Sequence, residues 1–363
     1  MRLKCETRNC HYNIKPTTTS TSTTSITSST STTKLTTTKS TSTSTEIPMC
    51  SLSSQSSWSE TAITIFGSQA GIYGSNLSLL SSPIGMYYDA PNNLLIVTDY
   101  ENRRVLQFSL NYLPSVATVI AGSNAAGCSL NQFTTAVGVA RDSSGRLFVS
   151  DAGCNRVVIF PSSSNSTTNA TVLGSVNIPE LLSINPLTDD VYVASVSDSA
   201  IYKFVSSSGP PVVAAGGNGR GNALNQLSQP NGVYYDYLHT HSLYVADSDN
   251  HRILRFPSDS TRVTYGAVVA GNNGAGSGAT QLKNPRSVLV DSSGSLYTAD
   301  KDNNRVQRWL QNATSGTTIV GGTSGTASNQ LSFPETILFD RDCNLLVVDR
   351  GNNRIQFFNV TTR

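Results

Sequence analysis

The sequence carries little charge of either sign and has no long apolar run. Of its 363 residues, 13% are charged, and the formal net charge is +2. So weak a charge balance provides no basic surface for nucleic acid, and we expect none as a partner. No stretch approaches the roughly 18 consecutive apolar residues of a membrane-spanning helix, so we expect no such segment.

The beginning of the chain lacks the apolar core of a secretory signal peptide. This absence predicts a cytoplasmic protein, unless the start of the gene product is missing. Residues 17 to 45 are nearly all Thr and Ser, and they cannot bury enough apolar surface to offset their ordering entropy. We expect a short Cys-containing segment at 1–16, a disordered linker or mucin-like stalk at 17–49, and a folded domain at 50–363.

From residue 61 onward, short runs of β-branched and aromatic residues alternate with clusters of Gly, Ser, Asn and Asp. These are strand and turn signals without a helical period. Six similar units succeed one another, 44 to 53 residues apart when each is aligned on the residue that ends one strand. A period near fifty with several short strands predicts propeller blades. The aligned residues are Asp99, Asp151, Ser195, Asp247, Asp300 and Asp349.

Each unit contains four strand signals, which we name a to d in chain order. The sixth unit has no strand d of its own, whereas residues 61–67 precede the first unit and end in Gly like the other d strands. We therefore predict an all-β fold of six four-stranded blades. The N-terminal strand completes the last blade and closes the ring, which removes exposed sheet edges.

The pattern Asp-x-x-Asn-x-Arg that follows strand b resembles the NHL repeat. Unit two has Cys154 at the Asn position, and unit three, with Ser195, Asp198 and Ala200, has lost the motif. The resemblance implies an NHL-type six-bladed β-propeller. Because the motif recurs in five blades, we interpret it as a structural feature of the b-to-c turn and not as a catalytic one. Its residues are Asp99, Asn102, Arg104, Asp151, Arg156, Asp247, Asn250, Arg252, Asp300, Asn303, Arg305, Asp349, Asn352 and Arg354.

The resemblance leaves the function open, because propellers support many functions. The NHL family includes substrate-recognition domains of tripartite-motif ubiquitin ligases, a peptide-amidating lyase and extracellular domains of surface receptors. The lyase holds a metal with several His around the axis. Here His239 and His241 share one turn, while His251 lies on the opposite face.

We therefore predict no catalytic residue, metal site or cofactor. The expected function is that of a non-catalytic, monomeric module that presents one propeller face to a protein or glycan. The alternatives are an intracellular adaptor related to the ubiquitin-ligase propellers and a metal-dependent lyase or hydrolase.

The Gly-rich d-to-a loops and the b-to-c turns lie on the same face in a four-stranded meander. We predict that this face carries the binding site, since loops on a rigid scaffold commonly carry function. The paired tyrosines of strand a in units one and four are expected to be core residues. They are Tyr87, Tyr88, Tyr234 and Tyr235.

Six cysteines fit a set of disulfides in the predicted topology. Cys128 and Cys154 fall on the same face of blade two. Cys343 and Cys50 fall on the opposite face beside the closing strand, where a disulfide would clamp the ring. Cys5 and Cys10 remain and form the third candidate pair. These placements favour an oxidising compartment.

Five sequons, at Asn76, Asn165, Asn169, Asn312 and Asn359, are candidates for N-glycosylation. Together with the cysteines and the stalk, they favour an extracellular or cell-surface protein over a cytoplasmic one.

Overall fold

Each repeat unit folds into one antiparallel sheet of four strands, in the order a, b, c, d. Strand a of each sheet contacts strand a of the next, and the sixth contacts the first, so that six inner strands surround a common axis. This computed structural model describes residues 52–111, 116–123 and 125–363. It confirms the predicted six-bladed β-propeller. The predicted segments 1–16 and 17–49 and residues Cys5, Cys10 and Cys50 lie outside the described residues.

The first three blades contain the strands β3 to β14. Strand b is buried along almost its whole length in each of them, because each blade packs between two others. Such strands are rich in Val, Ile, Leu and Phe, which is why their apolar runs were visible in the sequence. Blade one is Pro83–Asp89 (β3), Leu94–Asp99 (β4), Arg104–Ser109 (β5) and Thr118–Ala121 (β6); blade two is Ala136–Arg141 (β7), Leu147–Asp151 (β8), Arg156–Phe160 (β9) and Thr171–Ser175 (β10); blade three is Pro179–Asn185 (β11), Asp190–Ser195 (β12), Ala200–Val205 (β13) and Ser208–Gly216 (β14).

The last three blades contain β15 to β25, and the ring closes as predicted. The N-terminal strand β2 pairs antiparallel with the last blade's strand c and supplies its strand d. Blade four is Pro230–Asp236 (β15), Ser242–Asp247 (β16), Arg252–Pro257 (β17) and Ala267–Gly271 (β18); blade five is Pro285–Val290 (β19), Leu296–Asp300 (β20), Arg305–Trp309 (β21) and Thr317–Gly321 (β22); blade six is Pro334–Phe339 (β23), Leu345–Asp349 (β24), Arg354–Phe358 (β25) and Ile63–Gly67 (β2).

A seventh, two-stranded sheet strengthens the closure and was not predicted. It pairs Ser57–Trp58 (β1) with Val360–Thr362 (β26). The indole N–H of Trp58 donates to the Cys343 carbonyl at 2.9 Å, and its ring stacks on Phe339. Polar residues surround Trp58 in the sequence, so this segment lacks the apolar pattern of a strand.

Every inner strand has an irregular register near its first residues, as between Pro285 and Val288 of blade five. Such bulges change the direction of the side chains beside them. Close approach of the inner strands also requires glycine at some positions: a Cβ on Gly232 would overlap the carbonyl oxygen of Arg286. The start of strand a is therefore a place where backbone geometry directs side chains to the axis.

Candidate functional site

In blades one, four, five and six, the repeated Asp, Asn and Arg side chains attach the b-to-c turn to the loop that enters the same blade. We call this set the loop anchor. In blade six, Arg354 donates to Asp349 at 2.7 Å and to the loop carbonyl of Thr326 at 2.7 Å. Asn352 donates to Asp349 at 2.9 Å and to the loop carbonyl of Gly325 at 2.7 Å. The arginine is fully buried, so the anchor fixes the loop from inside.

The same contacts recur in blades one, four and five. In each, the Asp carboxylate also accepts a hydrogen bond from a backbone N–H at the end of the loop, as Asp247 does from Ser228 at 2.7 Å. Burial raises the pKa of Asp247, against the opposing effects of that amide, Asn250 and Arg252. The recurring sets are Asp99, Asn102 and Arg104; Asp247, Asn250 and Arg252; and Asp300, Asn303 and Arg305.

Blade two makes the same attachment with a disulfide. Arg156 pairs with Asp151 at 3.1 Å and donates to the carbonyl of Cys128 at 2.6 Å. Cys154, at the Asn position, is bonded to Cys128, with 5.7 Å between their Cα atoms. Its sulfur lies 3.6 Å from the carbonyl oxygen of Gly127, the group that Asn contacts in the other blades.

Blade three lacks the anchor because it lacks the loop. Only three residues separate β10 from β11, whereas 12 to 15 residues precede strand a in the other blades. In place of the ion pair, the Ser195 hydroxyl donates to the Asn177 carbonyl at 2.6 Å, and the Asn177 amide donates to Asp198 at 3.0 Å. The 44-residue spacing of this unit was the sequence signal for the missing loop.

A second recurring contact joins neighbouring blades on the face formed by the d-to-a loops and b-to-c turns, which we call the loop face. The residue before the motif arginine accepts a hydrogen bond from the backbone N–H just before the next blade's strand a. Asn155 accepts from Ile178 at 2.8 Å, and Asn304 accepts from Phe333 at 3.0 Å. The sequence analysis missed these links, although an Asn recurs at this position.

In both of these links, the residue that donates its backbone N–H has a left-handed backbone conformation. Ile178 has φ 44° and Phe333 has φ 49°. Bulky and β-branched residues rarely adopt this conformation because of steric strain. Both side chains are nevertheless exposed, by 42% and 46%. The loop face therefore holds two strained apolar side chains toward solvent.

Charged side chains meet at the axis beneath the loop face. Arg286 bonds Glu335 at 2.6 Å and Glu180 at 3.3 Å, and Arg350 bonds Glu335 at 3.0 Å. Burial raises the pKa of Glu180, while the positive charge of Arg286 opposes that shift. Around the rest of the axis, Ile84, Val137 and Leu181 form an apolar cluster at the same level. Arg350 belongs to the b-to-c turn of blade six, and the other six residues lie in the first three residues of a strand a. Sequence reasoning did not identify the cluster.

The opposite face, formed by the a-to-b turns and c-to-d connections, is called the turn face. A cavity of about 450 Å³ opens there along the axis, lined by strand a of all six blades. The four tyrosines expected in the core line it, and Tyr87, Tyr88 and Tyr234 are only half-buried. Tyr235 is buried and stacks on Tyr192 with 4.9 Å between ring centroids.

The remaining predicted residues have these positions. Cys343 is buried in the a-to-b turn of blade six and is disulfide-bonded. The asparagines of all five sequons are exposed, at Asn76, Asn165, Asn169, Asn312 and Asn359. Asn76 lies on the loop face, and the other four lie on the c-to-d side of the turn face.

Within residues 52–111, 116–123 and 125–363, no three His, Cys, Asp or Glu side chains are grouped to hold a metal ion. His239 contacts Asp236 at 3.4 Å, whereas His251 accepts a hydrogen bond from the Asn284 amide at 3.2 Å. No helix in the described part of the chain is long and apolar enough to cross a membrane.

Solved structures resemble the propeller over most of its length. An auxiliary nutrient binding protein from Bacteroides thetaiotaomicron shares 15% identity, with a TM-score of 0.64 over 85% of this chain and 78% of that one. A gluconolactonase from Xanthomonas campestris shares 13% identity, with a TM-score of 0.58 over 84% and 97%. An inactive virginiamycin B lyase from Staphylococcus aureus shares 10% identity, with a TM-score of 0.50 over 79% and 82%. At these identities the likeness establishes the fold alone.

In sequence, no curated protein matches the chain. The family model of the NHL repeat matches residues 80–108, which contain the loop anchor of blade one. This match to one repeat and the closed ring of six four-stranded blades are those expected of an NHL-repeat β-propeller.

Proposed function

We propose that the chain is a non-catalytic binding module, which presents the loop face of its propeller to a protein or glycan partner. The observation that carries this proposal is the exposure of Ile178 and Phe333 in a strained backbone conformation. Blades one, four and five have the same conformation at the residue before strand a, but there it is a Ser, Gln or Asn. Only in blades three and six does this position hold an apolar side chain toward solvent. Hydrogen bonds from the preceding blades also hold the amides of both residues.

The surroundings of Phe333 add charge to this apolar surface. The ammonium group of Lys301 lies 5.6 Å from the centre of the Phe333 ring, and the Arg350 guanidinium lies 5.4 Å from that of Tyr100. Aromatic rings and arginines are enriched at the energetic centres of protein interfaces. The loop anchor of blade six holds the backbone beside Phe333 through the Ser332 amide, which donates to Asp349 at 2.6 Å, and such preorganisation lowers the ordering entropy that binding costs.

The test is a double variant, Ile178→Asn with Phe333→Asn. Because Asn adopts the left-handed conformation more readily, we expect each substitution to stabilise the fold by about 1 kcal/mol. Binding should nevertheless be lost. The native chain and the variant are compared on a glycan array and against secreted and cell-surface proteins of the same source.

The matched control replaces two exposed valines of the turn face, Val116→Gln with Val263→Gln, at 76% and 75% exposure. This control should bind every partner of the native chain. A loop-face variant that keeps all partners of the native chain would overturn the proposal.

We also propose that the protein works in an oxidising, extracellular or periplasmic compartment. The Cys128–Cys154 bond, the disulfide at Cys343 and the exposed sequon asparagines support this location. The test is alkylation and mass spectrometry of unreduced protein from its native source. Free thiols at Cys128 and Cys154 would contradict this compartment and favour an intracellular adaptor.

A further inference from the structure

The axial cavity opens on the turn face, away from the surface proposed to bind a partner. Its rim includes Ala90 and Pro91 of the first a-to-b turn and Pro186 of the third. Beneath it the axis is filled by the ion pairs of Arg286 and by the cluster of Ile84, Val137 and Leu181. The cavity is thus a closed-ended cup of about 450 Å³, within the size range of small-molecule sites.

The walls are mostly aliphatic and aromatic, and their charge is balanced. Arg141 lines the cavity, and its guanidinium pairs with Asp89 at 3.1 Å. A charged ligand would lose its hydration without finding an unpaired countercharge. The wall therefore favours an uncharged molecule with a large apolar surface.

Several hydroxyl groups of the wall already have partners. Ser183 accepts from the amide of Tyr235 at 3.1 Å, and Ser287 accepts from the amide of Ile337 at 3.1 Å. Thr336 donates to the carbonyl of Ile84 at 2.7 Å. Thr336 thus uses its donor within the fold, whereas Ser183 and Ser287 are engaged as acceptors.

Four tyrosines of the wall have hydroxyls without a hydrogen bond to the described residues. Tyr235 is buried against Tyr192, and the other three are half-buried. These three are Tyr87, Tyr234 and Tyr237. Tyr237 lies close enough to influence the ionisation of both others. Burial raises the pKa of Tyr87 to about 12, so its hydroxyl stays protonated and can donate at neutral pH.

We propose that the axial cavity binds an uncharged, ring-containing small molecule, whose oxygen acceptors take hydrogen bonds from Tyr87, Tyr234 and Tyr237. The apolar body of the ligand packs against the aliphatic and aromatic wall. This site is separate from the proposed partner-binding surface, which lies at the other end of the axis.

The experiment titrates the full chain with two neutral fluorescent probes. Nile red has a carbonyl acceptor, and N-phenyl-1-naphthylamine has no oxygen. We expect saturable binding of one molecule of either probe per chain. Ala90→Trp should close the mouth and weaken both probes by at least about tenfold, whereas Ala125→Trp on the loop face should change neither.

The tyrosines are tested by Tyr87→Phe with Tyr234→Phe, and Tyr265→Phe at an exposed site is the control. Two lost hydrogen bonds should weaken Nile red about fivefold to tenfold and N-phenyl-1-naphthylamine less than twofold. Absence of saturable binding, or binding unaffected by Ala90→Trp, would overturn the site. Equal weakening of both probes would overturn the ligand class.

The proposal of a ligand site in the axial cavity can be tested independently of the proposal that the loop face binds a partner. Probe binding should be unchanged in the Ile178→Asn, Phe333→Asn variant, since those residues lie on the loop face. A loss of probe binding in that variant would contradict the cavity as the site of the probe.

Discussion

Cys154 occupies in blade two the position that Asn352 holds in blade six, and its disulfide to Cys128 takes the place of an amide hydrogen bond to the loop. In both blades the arginine after this residue keeps its bonds to the loop carbonyls. One blade thus uses a covalent bond where four use a hydrogen bond. The attachment of the loop, not the identity of the side chain, is the common element.

If Cys154 is replaced by Asn and Cys128 by Ser, the new Asn side chain should form the amide hydrogen bond to the loop that the other blades have. The bonded cysteines are 26 residues apart, so their loss should cost about 3–4 kcal/mol in the loop-entropy model. Cys128→Ser with Cys154→Asn should recover about 1 kcal/mol relative to Cys128→Ser with Cys154→Ser, because the new amide can reach the Gly127 carbonyl. Urea unfolding of the two variants measures the difference. Equal stability of the two would contradict the equivalence.

Arg286→Met should destabilise the fold by about 3 kcal/mol or more, because it leaves the buried carboxylates of Glu335 and Glu180 with one cation fewer. The control is Arg341→Met, since the pair of Arg341 with Asp342 is exposed and should contribute less than about 1 kcal/mol. Thermal unfolding compares both variants with the native chain. Similar losses at the two sites would show that the axial cluster is not a buried network.

Asp236 should contribute a stability that depends on pH. Burial alone would raise its pKa, but hydrogen bonds from Thr240, His239 and Leu238 hold the pKa below the ordinary 3.8. A depressed pKa stabilises the fold above pH 3.8, and this contribution is lost as the pH falls through the folded-state value. Asp236→Asn should cost about 1–2 kcal/mol at pH 7.

The difference between Asp236→Asn and the native chain should shrink as the pH is lowered below 4. Chemical unfolding at a series of pH values measures it, with Asp259→Gln on an exposed connection as the control. A difference that stays constant down to pH 2 would exclude a role for the ionised carboxylate.

The disulfide partner of Cys343 is predicted to be Cys50. Leu52 belongs to the same buried cluster as Cys343, which brings the chain that leads to Cys50 close to it. Peptide mapping of unreduced protein should recover this pair, and Cys50→Ala should destabilise the ring by about 4–5 kcal/mol. A Cys343 linked to Cys5 or Cys10 would refute the predicted pair.

Sequence patterns predicted the fold in detail because its signals are local and repeated. Strand b ends at Asp99, Asp151 and their counterparts as the alignment indicates, and residues 61–67 supply the closing strand. The β1–β26 pair escaped prediction because Trp58 is a single apolar residue among polar ones. Its burial comes from contacts with Phe339 and Tyr297, far away in the chain.

By itself the sequence determined the number of blades, their strand order and the recurring Asp–Asn–Arg set. Each follows from periodicity and composition within about fifty residues. Only the tertiary structure decided what meets at the axis. Glu180, Arg286 and Glu335 come from three blades, and their contact depends on ring closure and on the bulges that begin the inner strands. The volume of the axial cavity likewise arises from how six strands enclose a space, which no single repeat encodes.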